Sequence, residues 1–261
     1  MTESAGTKRT PAILPGAEGF SLPGGPVGAL LVHGFTGSPQ SVRELGEHLA
    51  GRGLTVVAPR LPGHGTTWQD LNSKRLADWR ECVRAAADDL RSNGREVFAV
   101  GQSFGATLCL DLAERQPAAV AGLVSISGFV HTKDRRRFLA PLLPHLVKSL
   151  PGVANDIAEP GQRELAYDRL PAAAARDMLR LVTSTRAGLA AVTCPLLVMH
   201  SRSDHIVHPG NALLIHERTS STRKRIDWFD RSYHVLTLDY DRRTVFAKTF
   251  EFIKESSRHA L

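Results

Sequence analysis

The chain is predicted to be an α/β protein with a mostly parallel central sheet covered by helices on both faces. Six apolar runs of strand length alternate with longer stretches of helical periodicity, as repeated βαβ units require. Most runs are near-continuous Val, Leu and Ile rather than alternating apolar and polar, the pattern of strands buried on both sides. The segment G-Q-S-F-G, residues 101–105, falls where one such run gives way to a helix-like stretch. With 261 residues, the chain is read as one domain.

Taken in order, residues 1–26 carry several Gly and Pro and are expected to form a loose lead-in or a small extra strand. The strand candidates are VGALLVH (27–33), LTVVAP (54–59), EVFAVG (96–101), GLVSIS (122–127), PLLVMHS (195–201) and RIDWF (225–229). Helices are expected at about 39–52, 77–92, 104–116, 208–218 and 241–255. Phe104, Leu108 and Leu112 share a face by i, i+4 spacing, and Pro117 stops that helix. Phe246, Phe250 and Ile253 form a similar stripe in the last one. The interval 129–193 is far longer than a crossover needs and is read as an inserted cap. Its stretch FLAPLLPHLVKSLPG is broken by Pro141, Pro144 and Pro151, so short helical pieces are expected there.

Composition excludes several classes. Hydrophobic residues at 42% and charged residues at 23% describe a globular chain rather than a disordered one. The opening MTESAGTKRT lacks the apolar segment of a secretory signal, and no stretch approaches the roughly 20 apolar residues that span a bilayer. The expectation is a cytoplasmic protein without stable membrane insertion. Cys82, Cys109 and Cys194 are odd in number and widely spaced, which suggests neither a disulfide framework nor a zinc site. The net charge of +7 raises nucleic acid as a partner, but KDRRR (133–137) and RKR (223–225) are short, far apart and free of interleaved aromatics. They read as solvated surface, and no nucleic-acid partner is expected. Nothing in the sequence selects an oligomeric state.

The chemistry centres on Ser103. A nucleophilic serine must stand clear of the sheet edge, so the backbone turns sharply from strand to helix and holds the residue at positive φ. Side chains two positions either side would collide, and Gly101 and Gly105 remove those Cβ atoms. The N-terminus of the following helix favours negative charge developing at the site. A serine hydroxyl is a weak nucleophile and needs a histidine base, itself oriented by an acid; both are expected downstream on loops after strands.

MHSRSDHIVHPG offers Asp204 after one strand, and FDRSYHVLTLD offers His234 after the next. His200 lies within a strand run, His205 and His208 lie too near Asp204, and His259 is in the tail. Asp227 falls inside a predicted strand and Asp239 or Asp241 reads as a helix N-cap, which leaves Asp230 as the alternative acid. In LLVHGFTGSPQS (30–41), the Phe35 N–H would supply one donor to a developing oxyanion and the Phe104 N–H the second. His33 is read as bracing that loop.

These pieces together resemble the α/β-hydrolase family, over nearly the whole chain. The closest resemblance is to the bacterial monoacylglycerol lipases and the related small carboxylesterases. It rests on LLVHGFTGSPQSVRELGEHLAGRGLTVVAPRLPGHGT (30–66), GQSFG (101–105), RELAYDRLP (163–171), CPLLVMHSRSDHIVHPGNA (194–212) and STRKRIDWFDRSYHVLTLDYD (221–241). Two positions depart from it: Phe104 stands where relatives commonly carry Leu or Met, and Ala106 where they carry Gly. Both donors are main-chain groups, so neither is lost, while a bulkier Phe104 is expected to reshape the pocket.

The resemblance implies a cap after the sixth-strand region of that fold, a triad of Ser103, Asp204 and His234, and hydrolysis through an acyl-enzyme with no metal or organic cofactor. The substrate it implies is a lipid ester, monoacylglycerol first and a short- or medium-chain ester second, with transient contact to a lipid surface. By the match of RELAY, Glu164 would contact the glycerol hydroxyls; a solvated helix-start glutamate is the other reading. Leucines 139–150 are either tunnel lining or the cap's own packing. A scaffold that binds without turnover, and acyl transfer to an alcohol or thiol, remain as alternatives.

Overall fold

All six apolar runs become strands of a single sheet. The computed structural model describes residues 11–134, 139–152 and 155–261. The strands among these are β1 (Phe20–Leu22), β2 (Val27–Val32), β3 (Thr55–Ala58), β4 (Glu96–Gln102), β5 (Gly122–Ile126), β6 (Ser149–Pro151), β7 (Arg169–Pro171), β8 (Leu196–Ser201) and β9 (Lys224–Phe229). The main sheet has the order β1-β3-β2-β4-β5-β8-β9. Only the short β1, the extra strand allowed for in the lead-in, runs antiparallel to its neighbour. The central strands β2, β4, β5 and β8 are buried along their whole length, which is why their sequences do not alternate.

The helices are α1 (Arg43–Ala50, entered through a 3-10 turn at Pro39–Val42), α2 (Trp68–Ser73), α3 (Leu76–Ser92), α4 (Phe104–Arg115), α5 (Leu143–Leu146), α6 (Ala172–Gly188), α7 (Gly210–Arg218) and α8 (Arg242–Ser256). On one face of the sheet, Leu45 and Leu49 of α1 meet Phe246, Phe250 and Ile253 of α8. On the other, Trp79 and Val83 of α3 pack with Phe104, Leu108 and Leu112 of α4. Each such side chain contributes about 1.5–3 kcal/mol by leaving water, so the two layers hold the sheet rigid beneath its carboxyl edge.

The long connection between β5 and β8 contains the one-turn α5, the two-stranded antiparallel β6–β7 ribbon and α6. The proline-rich stretch does break into short pieces, as its spacing requires. Helix α6 runs for 17 residues, without Pro or internal Gly before Gly188, and packs on α4. The leucines before it follow neither expectation: Leu139, Leu142 and Leu146 are exposed, the last at 77%. Prolines 141, 144 and 151 keep this stretch too broken to lay an apolar stripe against the body.

Asp241 occupies the N-cap position of α8, but its carboxylate accepts the Ser232 hydroxyl at 2.8 Å rather than a helix N–H. Of the basic clusters, Lys224 donates to the Thr219 carbonyl and Arg225 pairs with Glu255. In KDRRR, residues 135–137 lie outside the described residues, as does the opening MTESAGTKRT. Among the described residues no helix is long and apolar enough to cross a membrane. Cys82, Cys109 and Cys194 are free thiols.

Candidate active site

Strands β2, β4, β8 and β9 deliver four loops to one edge of the sheet, and the sequence-predicted residues meet there. Ser103 sits between β4 and α4 at φ 54°, ψ −116°, a left-handed conformation for a residue with a side chain. The glycines around it are steric necessities. A Cβ at Gly101 would lie 2.5 Å from the Ala106 Cα, and one at Gly105 would lie 2.6 Å from the His33 carbonyl oxygen and closer still to that of Val32. For Gly105 the obstacle is therefore neighbouring strand β2, a tertiary contact rather than the turn itself.

His234 Nε2 lies 3.0 Å from Ser103 Oγ, and its Nδ1 lies 2.8 Å from Asp204 Oδ2. An ionised carboxylate only accepts, so Nδ1 carries the proton and Nε2 presents its lone pair to the serine hydroxyl. Asp204 is fully buried at its side chain, and its Oδ1 accepts the N–H groups of Ile206 at 2.9 Å and Val207 at 2.7 Å. Burial alone would raise its pKa. Hydrogen bonds from His200 and His234 outweigh that and hold the carboxyl well below the usual range. Burial likewise pulls the His234 imidazole down, but the hydrogen bond and charge of Asp204, with the charges of Glu164 and Asp156, leave it above its ordinary value.

His200, set aside in the sequence because it lies in a strand, reaches the same carboxylate. Its Nε2 is 3.1 Å from Asp204 Oδ2 and 3.0 Å from the Val207 carbonyl oxygen, so that nitrogen is the donor. The four-residue spacing to Asp204 is the only trace of this in the sequence. Asp230, the alternative acid, instead forms an exposed pair with Arg202. Asp239 is fully buried, and its oxygens accept the N–H groups of Tyr233, Tyr240, Ala158 and Glu159 at 2.8–2.9 Å. It thus clamps the His234 loop to the long β5–β8 connection.

The Phe104 N–H opens α4 and has no acceptor within the helix. Phe35 lies on the facing loop, where Thr36 takes φ 63° and its carbonyl accepts the Tyr167 N–H at 3.1 Å. His33 braces this loop. Its Nε2 accepts the Leu61 N–H at 3.1 Å, its Nδ1–H donates to the Gly34 carbonyl at 2.9 Å, and burial lowers its pKa to about 4. The Phe104 ring is 1% exposed and packs edge-to-face with Phe35 and Trp79 at 5.3 Å from each. The larger side chain is absorbed mainly by an aromatic cluster beneath the site.

A cavity of about 230 Å³ opens over Ser103, with Phe129, Pro151, Leu170, Met178, Ile206 and Val207 as its apolar walls. Glu164 and Asp156 are its carboxylates. The Glu164 N–H donates to Asn155 Oδ1 at 2.7 Å, and a Cβ at Gly37 would come within 2.5 Å of Glu164 Oε1. Burial pushes the Glu164 carboxyl up to about 7. A larger depression of about 600 Å³ lies beside α6, lined by Arg176, Arg180 and Arg186, but none of the Ser103, His234 or Asp204 side chains borders it. Among the described residues no cluster of three or more His, Cys, Asp or Glu is arranged to hold a metal ion.

The mostly parallel sheet, flanked on both faces and bearing a strand–serine–helix elbow at its carboxyl edge, is the α/β-hydrolase fold. A solved structure of the metagenome-derived lipolytic enzymes LipS and LipT shares it, with a TM-score of 0.91 and 36% identity, covering 94% of this chain and 100% of that one. A thermostable monoacylglycerol lipase of Bacillus sp. (strain H-257) is 40% identical over 250 residues, 95% of this chain and 97% of that protein. A carboxylesterase of Bacillus subtilis (strain 168) is 29% identical over 239 residues, 90% of this chain and 96% of that protein. The chain belongs to the family described as serine aminopeptidase, S33, which matches residues 28–241.

Proposed function

We propose that this protein hydrolyses carboxylic esters through a covalent acyl-enzyme, with monoacylglycerols as its preferred substrates. The observation that carries the reading is the unbroken relay from Ser103 Oγ to His234 Nε2 and from His234 Nδ1 to Asp204. His234 Nε2 accepts the hydroxyl proton as Ser103 Oγ attacks the ester carbonyl. The carbonyl oxygen becomes an oxyanion, which the Phe35 and Phe104 N–H groups bind, each worth about 3 kcal/mol at the transition state. As the intermediate collapses, His234 gives the proton to the departing alcohol. The same histidine then takes a proton from water as it attacks the acyl-serine carbonyl, and returns that proton to Ser103 Oγ as the second intermediate collapses and the acid leaves.

The similarity to the Bacillus monoacylglycerol lipase supports the substrate class, as does the cavity itself: apolar walls for an acyl chain and the Glu164 carboxyl for glycerol hydroxyls. With a pKa near 7, Glu164 both accepts and, when protonated, donates hydrogen bonds. In this reading residues 129–193 form the cap that roofs the acyl site. A short- or medium-chain carboxylesterase is the second reading, favoured by the 29% identity to the Bacillus subtilis enzyme. The exposed leucines 139, 142 and 146 support transient contact with a lipid surface, and the three free thiols a reducing, cytoplasmic setting; vesicle flotation and cell fractionation test these.

Purified protein is assayed on monolauroylglycerol and on methyl laurate. Ser103→Ala should abolish turnover of both with the fold intact, whereas Phe35→Ala, which keeps the main-chain donor, should be much milder. Glu164→Ala should lower kcat/KM for the glyceride about tenfold more than for the methyl ester, the cost of one lost hydrogen bond to substrate. Activity retained in Ser103→Ala would end the hydrolase reading. Equal losses on both esters would favour the carboxylesterase.

A further inference from the structure

The stretch 155–167, which contributes Asn155, Asp156 and Glu164 to the cavity wall, is stapled to the rest of the fold. Asp239 takes the Ala158 and Glu159 N–H groups, and the Gln40 side chain accepts the Leu165 N–H at 3.0 Å and donates to the Arg163 carbonyl at 3.2 Å. The Tyr167 hydroxyl donates to the Gly63 carbonyl and accepts the Thr66 N–H. Within it, Asp156 touches both loops that carry the relay. Its Oδ2 accepts the main-chain N–H of His234 and that of His205, each at 3.2 Å, and its Oδ1 lies 2.8 Å from His205 Nδ1. Its own carbonyl accepts the Val235 N–H at 3.2 Å.

We propose that Asp156 is a positioning residue for His234, a carboxylate contributed by the β5–β8 connection that fixes the histidine's main chain and adds a further negative charge near its ring. This rests on His234 being the base. Asp204 governs the ring through Nδ1, and Asp156 governs the peptide that carries it, so the two acids act on different atoms. His234 faces Asp204, Glu164 and Asp156, and Asp204 is faced in turn by His200. Asp156 faces His205, whose ring stacks edge-to-face on Tyr233 at 4.5 Å. The nearby Glu159 is neutralised by Arg242. With the Asp156 side chain only 13% exposed, its charge is poorly screened from the histidine. The docked connection therefore tunes the base, and the coupling acts before any substrate is present.

Asp156→Asn keeps an oxygen for both N–H groups and removes the charge, while Asp156→Ala removes both. Removing a negative charge makes the imidazolium less favourable, so the acid limb of the kcat/KM profile on a soluble chromogenic ester should move down by roughly half to one pH unit in both variants. Asp156→Ala should in addition lower kcat about tenfold with little change in KM, because the histidine is no longer held in register. The His234 ring is also titrated by NMR in the Ser103→Ala background, with and without Asp156→Asn, which needs no turnover. A downward shift of that titration supports the proposal whatever the protein hydrolyses. Coincident titrations and coincident acid limbs overturn it, even with Ser103→Ala inactive; activity in Ser103→Ala would instead count against the ester hydrolase.

Discussion

Changing Glu164 to Gln isolates the cost of holding a buried carboxylate in the cavity wall. The carboxyl's pKa rises from 4.5 to about 7, chiefly by burial. Between those two values the folded chain keeps a proton that the unfolded chain has released. This group therefore costs nothing below about pH 4.5, and the fold progressively loses stability as the pH rises through about 7. That rise in pKa, at about 1.36 kcal/mol for each pH unit, sets a ceiling of roughly 3–4 kcal/mol. The side chain opens on a cavity large enough for water, and screening there reduces the expected penalty to about 1–2 kcal/mol. Gln has the same shape and cannot ionise. Glu164→Gln should thus match the wild type near pH 4.5 and exceed its unfolding free energy by about 1–2 kcal/mol at pH 8. Urea denaturation at the two pH values measures this directly. A difference of the same size at both, or a wild type more stable than the variant at pH 8, would refute the assignment of a buried, proton-holding carboxyl.

Two further outcomes follow from geometry. Gly105→Ala forces a methyl into the Val32 and His33 carbonyls, so α4 and β2 must part; a loss of about 3 kcal/mol or more is expected in thermal unfolding, with activity falling alongside. Asp204→Asn should reduce kcat by about 10⁴-fold by disturbing the His234 tautomer, while Asp230→Asn, in its exposed pair with Arg202, should leave kcat unchanged and stability within about 0.5 kcal/mol. Comparable losses in both variants would mean that the acid has been misassigned.

Much of the scaffold was legible because its signals are local. The six long strands of the main sheet show as apolar runs, and their observed limits fall within a residue or so of those runs. Ser103 is marked by its flanking glycines, and Asp204 and His234 by their place just after strands that end at the same edge. The long connection between β5 and β8 shows in the sequence only as an excess of length. The exposure of Leu139, Leu142 and Leu146 and the length of α6 are not written in that stretch, because neither periodicity nor proline spacing says what a segment will meet.

What the sequence determined by itself is the parallel sheet and the residues that a strand-to-loop pattern sets at its carboxyl edge: Ser103 at the elbow, with Asp204 and His234 on loops after later strands. Only the tertiary structure decided what surrounds those groups. It brings His200 onto Asp204, buries Phe104 against Phe35 and Trp79, and lays Asp156 and Asp239 across the His234 loop. Asp156 and His234 stand 78 positions apart, and the bond between them depends on how the β5–β8 connection packs rather than on any repeat along the chain. Backbone preference and burial act within a few residues, whereas hydrogen bonds between distant loops exist only once the core has fixed where each loop begins.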